Sequence, residues 1–141
     1  MNLSSVRDCI PRGLHRSVVA LCLFYVVMSP ALALDAKTER EINHLLIFIG
    51  SSQCEFFRNG TWHSGAEAAD HIKGKYDYVL RRGRIKSTED FIALAASKSS
   101  ISGKAYKVRC GEQELTSAGW LSAELGVYRN NDPANNEAPS R

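Results

Sequence analysis

Hydrophobic and polar residues alternate along this chain with the two periods that distinguish helices from strands. Apolar residues at offsets of three and four predict a first helix from Thr38, where Glu41 completes a capping box. A second capping box, Ser64 with Glu67, predicts a helix that ends near Arg82. The predicted apolar stripes are Ile42, Leu45, Leu46 and Ile49 in the first helix, and Ala69, Ile72, Tyr76, Val79 and Leu80 in the second.

Two further helices are predicted later in the chain. Ser87, with Asp90 three residues on, is typical of the N-terminus of a short helix. Either Thr116 or Ser117 caps the last helix. The apolar residues are Phe91, Ile92, Leu94 and Ala95 in the third helix, and Leu121, Leu125 and Tyr128 in the fourth.

Two pairs of short strands are predicted between these helices. Asn59-Gly60 separates two runs of β-favouring residues, 54–57 and 61–62. Asn-Gly favours a type I′ hairpin because both central residues of that turn need a positive φ. Residues 106–110 alternate as a half-buried strand does, and a return strand is predicted near Leu115. The sequence therefore predicts an α+β fold with four helices and a small antiparallel sheet of two β-hairpins.

Residues 1–33 have the features of a secretory signal peptide. Three arginines precede a hydrophobic region of 12 residues, 17–28, and Ala31 and Ala33 form a small-x-small cleavage site. An uncleaved anchor is the alternative, but a membrane-spanning helix needs about 20 apolar residues. We expect cleavage after Ala33, export to the periplasm, and no stable membrane span in the mature chain.

The rest of the chain is predicted to form one domain, residues 34–129, followed by a disordered tail, residues 130–141, which is polar and holds two of the four prolines. Without the signal peptide, 15 basic and 14 acidic residues give a net charge of +1. This balance argues against a nucleic-acid partner, since such proteins usually present a strongly basic face.

Cysteine usage agrees with export. Removal of the signal peptide takes away Cys9 and Cys22 and leaves Cys54 and Cys110. An even number of cysteines in an exported chain predicts a disulfide, and the alternative is a pair of buried free thiols. Closing a loop of this length stabilises a small domain by about 4 kcal/mol.

Motifs that accompany catalysis are absent from the sequence. The chain has no Gly-x-Ser-x-Gly elbow, no Ser-x-x-Lys and no Cys-x-x-Cys pair. Ser102-Gly103-Lys104 lacks the upstream glycine and the following Ser or Thr of a P-loop. No catalytic residue and no cofactor is therefore predicted.

Metal binding is weakly indicated at most. Glu41 and His44 lie one helical turn apart, as metal ligands can, and His63 and His71 flank the start of the second helix. A single pair without further ligands is a weak pattern, because metal sites in proteins usually need three or four ligands. Surface or capping roles are therefore predicted for these residues, and no metal site.

Basic residues concentrate near the C-terminal end of the second helix. Cations at that position suit the negative end of the helix macrodipole, and this interpretation is favoured. An anion- or phosphate-binding patch is the alternative. The residues are Lys73, Lys75, Arg81, Arg82, Arg84 and Lys86.

The small, polar segment 97–104 predicts a flexible loop that leads into the third strand. Such loops present hydroxyls and backbone N–H groups to ligands. The alternative is that Gly103 supplies a positive φ and the serines only satisfy backbone groups. Strand alternation places Lys107 and Arg109 outward near Lys104, as a small cationic surface. The candidate binding residues are Ser99, Ser100, Ser102, Gly103, Lys104, Tyr106 and Arg109.

Three segments together form a family pattern: residues 41–60 (EINHLLIFIGSSQCEFFRNG), 97–110 (SKSSISGKAYKVRC) and 116–125 (TSAGWLSAEL). They resemble the YfeK-like family of small exported bacterial proteins. The resemblance implies a Gram-negative periplasmic protein with one domain of unknown function, and it implies no catalytic residue. Residues 102–106 (SGKAY) are also similar to a loop of periplasmic inhibitors of C-type lysozyme, but those inhibitors are β-barrels.

We interpret the chain as a periplasmic binding or interaction module whose partner is an envelope protein or a glycan. A small envelope hydrolase that uses the Ser, Lys and Arg side chains of residues 97–109 is one alternative. A lysozyme-inhibitor-like protein is the other. An enzyme should show a nucleophile beside a base, and the sequence contains no recognisable pair of that kind.

Overall fold

A computed structural model describes residues 34–132, so the predicted signal peptide and most of the predicted tail lie outside the described residues. The order of elements agrees with the predicted α+β fold of four helices and two hairpins. The helices are α1 (Ala36–Ser51), α2 (Gly65–Leu80), α3 (Thr88–Phe91, continued by a π-helical turn, Ile92–Ala96) and α4 (Ser117–Asn131). The strands are β1 (Glu55–Arg58), β2 (Thr61–His63), β3 (Lys107–Cys110) and β4 (Gln113–Thr116).

The four strands form one antiparallel sheet in the order β2-β1-β3-β4. Asn59 and Gly60 join β1 to β2 with φ values of 51° and 94°, the positive angles that the Asn-Gly pair predicts. The two hairpins meet where β1 pairs with β3, and Phe56 lies opposite Val108 there. Both side chains are buried, so this face of the sheet contributes to the core.

Cys54 and Cys110 form the predicted disulfide, with their Cα atoms 4.5 Å apart. Cys54 immediately precedes β1, and Cys110 ends β3. Strand β3 is the antiparallel neighbour of β1. The bond therefore ties the two hairpins together at one end of the sheet.

The hydrophobic core lies between the helices and the inner face of the sheet. Along α2, Ala68 is buried in place of the predicted Ala69, which is only partly buried. Within residues 34–132, no helix combines the length and hydrophobicity that crossing a membrane requires. The most deeply buried apolar side chains are Ile42, Leu45, Ile49, Phe91, Val108 and Leu121.

The capping box predicted at Thr38 was wrong. α1 begins at Ala36, and its N-cap is Asp35, whose carboxylate accepts the N–H groups of Lys37 and Thr38, both at 3.0 Å. Thr38 and Glu41 are buried within the helix. Asp is among the best N-cap residues, so Asp35 caps the helix and leaves Glu41 free for tertiary contacts.

The other predicted caps are confirmed. Ser64 and Glu67 form the capping box of α2, Ser87 caps α3, and Thr116 caps α4. α2 ends at Leu80, slightly before the predicted end. α4 runs to Asn131, so the start of the segment predicted as tail is helical.

Candidate functional site

Residues 97–106, which include the predicted binding loop, form a loop closed by its own hydrogen bonds. Tyr106 donates its N–H to the carbonyl of Ser97 over 2.8 Å, and Ser99 donates to Lys104 over 2.9 Å. Gly103 has a φ of +70° and donates to the carbonyl of Ser99 over 3.0 Å. These bonds across the loop give it a defined conformation and use the positive φ that glycine allows.

Two of the predicted binding serines interact with the backbone of this loop. The Oγ atom of Ser99, which is only 4% exposed, accepts the N–H groups of Ile101 and Ser102 at 3.3 and 3.2 Å. Ser102 Oγ accepts the N–H of Lys104 at 3.4 Å. These contacts fit the alternative in which the serines satisfy backbone groups. Binding roles for these serines remain a prediction.

The predicted cationic surface on β3 is neutralised by carboxylates. Arg109 forms an ion pair with Glu55 at 2.7 Å, and its guanidinium lies 4.0 Å from the centre of the Trp62 ring. Lys107 forms an ion pair with Glu114, also at 2.7 Å. The structure therefore places both cations on the outer face, as predicted, but gives each a partner within the protein.

A second group of cations lines a concavity of about 400 Å³ between the end of α2, the π-helical turn and the loop. This volume lies in the usual range for small-molecule sites. Four basic residues and no carboxylate contribute to the lining. We call this concavity the cationic pocket; its lining residues are Lys75, Tyr78, Val79, Arg82, Arg84, Ala93, Leu94, Lys98 and Ser100.

The cations of this pocket lie close to one another and to aromatic rings. The half-buried Lys75 donates from Nζ to the carbonyl of Lys98, and the same Nζ lies 5.4 Å from the centre of the Tyr106 ring. Arg82 stacks on Tyr78 with its Cζ atom 3.7 Å from the ring centre. Burial, and then the charge of Lys98, lower the pKa of Lys75. The pocket therefore holds positive charge at a cost that a bound anion would reduce.

Helix periodicity brings these residues together. Lys75, Tyr78 and Arg82 are separated by three and four positions, which places them on one side of the helix and its C-terminal continuation. Lys73, by contrast, forms an ion pair with Asp77 on the same helix at 2.7 Å. Only part of the predicted basic cluster therefore lines the pocket. Of the predicted binding residues in the loop, Ser100 also lines it.

A second polar cluster surrounds His71, for which a surface or capping role was predicted. His71 is half-buried: its Nδ1 is 3.0 Å from Nη1 of Arg58, and its Nε2 is 3.2 Å from the hydroxyl of Tyr106. The same Nη1 is 3.4 Å from Nε2, and because a guanidinium can only donate, the imidazole accepts from Arg58 in its neutral form. Burial, and then the charges of Arg58, Lys75 and His63, lower the pKa of His71, which favours this neutral form.

A small cavity of about 20 Å³ lies beside this cluster. That volume accommodates about one water molecule. Ser117 is fully buried, and among the described residues its Oγ atom has no hydrogen-bond partner. The cavity is lined by Phe56, Phe57, Arg58, His63, Ala68, His71, Ile72, Tyr106 and Ser117.

Glu41 and His44, the other pair considered for metal binding, contact different partners. The buried Glu41 accepts two hydrogen bonds from Arg129 at 2.8 and 2.7 Å, and these bonds are the main reason that its pKa is lowered. His44 contacts Glu124 at 2.6 Å and stacks on Tyr128. Across residues 34–132, no group of three or more His, Cys, Asp or Glu side chains is placed to hold a metal ion.

Arg129 also borders a groove of about 380 Å³ along α4. There it forms an ion pair with Glu89 at 2.7 Å, so the groove contains a cation and its own counter-ion. We call this concavity the α4 groove; it is lined by Glu89, Ile92, Ala93, Ser97, Ala118, Ser122, Leu125, Gly126 and Arg129.

Fold and pocket together define a small disulfide-linked α+β domain with a cation-lined concavity. A family model described as a family of unknown function, DUF5329, matches residues 36–129, and the chain belongs to this family. The chain is 34% identical over 93 residues to the uncharacterized protein YfeK of Salmonella typhimurium, a match that covers 64% of this chain and 76% of that protein. The YfeK-like resemblance is thereby confirmed. No solved structure matches the chain.

Proposed function

We propose that this protein is an exported binding module of the periplasm that takes an anionic group of an envelope molecule in its cationic pocket. Four cations that line one concavity without a carboxylate are the observation that carries this proposal. The features predictive of a signal peptide in residues 1–33 support the periplasmic location.

Four basic residues elsewhere in the described part of the domain are paired with carboxylates, unlike the cations of this pocket. Lys73, Lys107, Arg109 and Arg129 each have a carboxylate oxygen at 2.7 Å. Among the described residues, the four cations of the pocket have no carboxylate within ion-pair distance. An anionic ligand would supply the counter-charge that the protein itself supplies elsewhere.

The pocket also offers groups that orient a ligand. Arg82 and Arg84 are exposed and can each present two parallel N–H groups to a phosphate or carboxylate. Lys75 and Lys98 add point charges, and the exposed Ser100 adds a hydroxyl that can donate. This donor-rich lining favours a phosphate- or carboxylate-bearing ligand, and both predicted kinds of partner, an envelope protein or a glycan, can carry such groups.

Titration with pyrophosphate, followed by calorimetry, tests this function. We expect Arg82→Gln with Lys98→Gln to weaken pyrophosphate binding about tenfold, since two exposed ion pairs of up to about 1 kcal/mol each are lost. The matched control is Lys37→Gln with Arg40→Gln on α1, which removes the same charge outside the pocket. Equal affinities of the two double variants would overturn the proposal.

A further inference from the structure

One side of α2 carries a row of cationic and aromatic side chains that extends beyond the cationic pocket. His71, Lys75 and Tyr78 lie at offsets of zero, four and seven, the spacing that brings side chains to one side of a helix. Beyond His71 the row continues on the sheet, where Arg58 of β1 contacts the imidazole at 3.0 Å. The row from His71 to the end of α2 is about 14 Å long at 1.5 Å per residue.

Lys75 connects the two ends of this row. It lines the cationic pocket, and its Nζ also lies over the ring of Tyr106, whose hydroxyl contacts His71. The charge of Lys75 contributes to lowering the pKa of His71, after burial and the charge of Arg58. Lys75 therefore brings positive charge both to the cationic pocket and to the His71 end of the row.

Among the described residues, no carboxylate forms an ion pair with Arg58 or Lys75 in this row. Glu67 is near enough for the charge of Arg58 to contribute to lowering its pKa. However, Glu67 already accepts hydrogen bonds from the N–H and hydroxyl of Ser64 in the capping box, at 2.9 and 3.0 Å.

We propose that the ligand is a linear acidic glycan that lies along α2, with one anionic group in the cationic pocket and another beside Arg58 and His71. This inference rests on the proposed function, because it assigns the length and chemical class of the ligand that the pocket takes.

Tyr78 favours a glycan over a simple polyanion. Its side chain is 50% exposed and lines the cationic pocket, where Arg82 stacks on one face of the ring and leaves the other face for a ligand. An acidic sugar combines an apolar ring face, which packs on an aromatic ring, with anionic groups on its edge. Single-stranded nucleic acid could also stack there, but proteins that bind it use several aromatic platforms and a strongly basic groove.

Sulfated oligosaccharides prepared from heparin, of two lengths, test this assignment by calorimetry. A disaccharide is shorter than the row, whereas an octasaccharide can reach both ends. We expect Arg58→Gln to weaken octasaccharide binding about fivefold, the loss of one ion pair, and to leave disaccharide binding unchanged. Arg58→Lys should restore most of the affinity because it retains the charge. Arg40→Gln on α1 is the matched control and should affect neither probe.

Each other outcome has a distinct meaning. If Arg58→Gln leaves octasaccharide affinity unchanged while Arg82→Gln with Lys98→Gln lowers it, the glycan does not extend to Arg58, and the present inference is wrong although the pocket binds anions. If the wild type binds neither probe nor pyrophosphate, the proposed function is wrong as well. Tighter binding of a single-stranded DNA with the same number of charges would overturn the assignment to a glycan.

Discussion

The cationic pocket and the α4 groove have similar volumes, about 400 and 380 Å³. They differ in whether their cations have carboxylate partners. In the α4 groove, Arg129 has carboxylate partners on two other helices, Glu41 and Glu89. In the cationic pocket, the four cations lack such partners among the described residues. Arg129 in the α4 groove therefore stabilises the fold, and the four cations that line the cationic pocket are available to a ligand.

The difference between the two concavities is tested most directly by replacing Arg129. Replacing it by Met leaves the carboxylate of Glu41, which is 2% exposed, with the hydroxyl of Thr88 as its remaining side-chain partner. Removing one member of a fully buried ion pair costs about 3–5 kcal/mol, and because Arg129 is itself 36% exposed we expect Arg129→Met to lower the free energy of unfolding by less, about 2 kcal/mol. Urea unfolding monitored by circular dichroism measures the change.

Two variants control this prediction. Adding Glu41→Gln to Arg129→Met should recover part of the loss, because the uncompensated charge is then removed. Arg82→Gln with Lys98→Gln should leave the urea midpoint almost unchanged, because these cations have no protein carboxylate to lose. A stable Arg129→Met protein would mean that the two concavities do not differ in the way described.

The difference between the concavities was not visible in the sequence. Local rules predicted the Ser64 cap and the Asn59-Gly60 hairpin, because each depends on residues within a few positions. Glu41 satisfied such a rule with Thr38, yet its partner Arg129 lies 88 residues away, and Asp35 caps the helix instead. Short-range patterns identify candidate caps, but tertiary contacts decide between them.

The candidate site was predicted in part. The sequence indicates both the basic end of α2 and the loop with Ser100, and anion binding by the basic cluster is its alternative interpretation. What joins them is the contact between Lys75 and Lys98, which are 23 residues apart. The pairing of Arg109 with Glu55 spans 54 residues and was equally inaccessible to periodicity. Whether a cation has a carboxylate partner depends on such long-range contacts. The sequence therefore predicted Arg109 as a binding residue and did not predict the cations of the pocket as binding residues.

A pH titration tests whether the surroundings of His71 disfavour its protonated form. The groups that face His71 are Arg58 of β1, His63 of β2, Lys75 of α2 and the hydroxyl of Tyr106. Burial and the three cationic neighbours lower the pKa of His71 below its ordinary value of about 6.5. As the pH falls below that value, the unfolded chain binds the proton first, so the free energy of unfolding decreases.

We therefore expect the urea midpoint to fall between pH 7.5 and pH 5.5, and to fall less in His71→Gln. The stability contributed by neutral His71 is fully present above about pH 6.5 and is lost as the pH decreases through the pKa of the folded state. Identical pH dependence in the two proteins would show that the environment of His71 does not disfavour its protonated form.

The smallest effect is expected on the outer face of β3, where the sequence alone placed the binding surface. Ser102→Ala with Arg109→Ala removes a 3.4 Å hydrogen bond within the loop and an exposed ion pair between Arg109 and Glu55. Exposed ion pairs and cation–π contacts each contribute about 0.5 kcal/mol, and the total of about 1 kcal/mol should lower the melting temperature of a domain of this size by about 4–8 °C. Pyrophosphate affinity should stay within twofold of the wild type, because the charge of Arg109 is already balanced by Glu55.

The measurement pairs calorimetric titration with a thermal melt of the same sample. A marked loss of pyrophosphate binding in a folded double variant would move the site from the cationic pocket to β3. Unfolding of that variant would instead assign Ser102 and Arg109 to the framework of the loop and sheet.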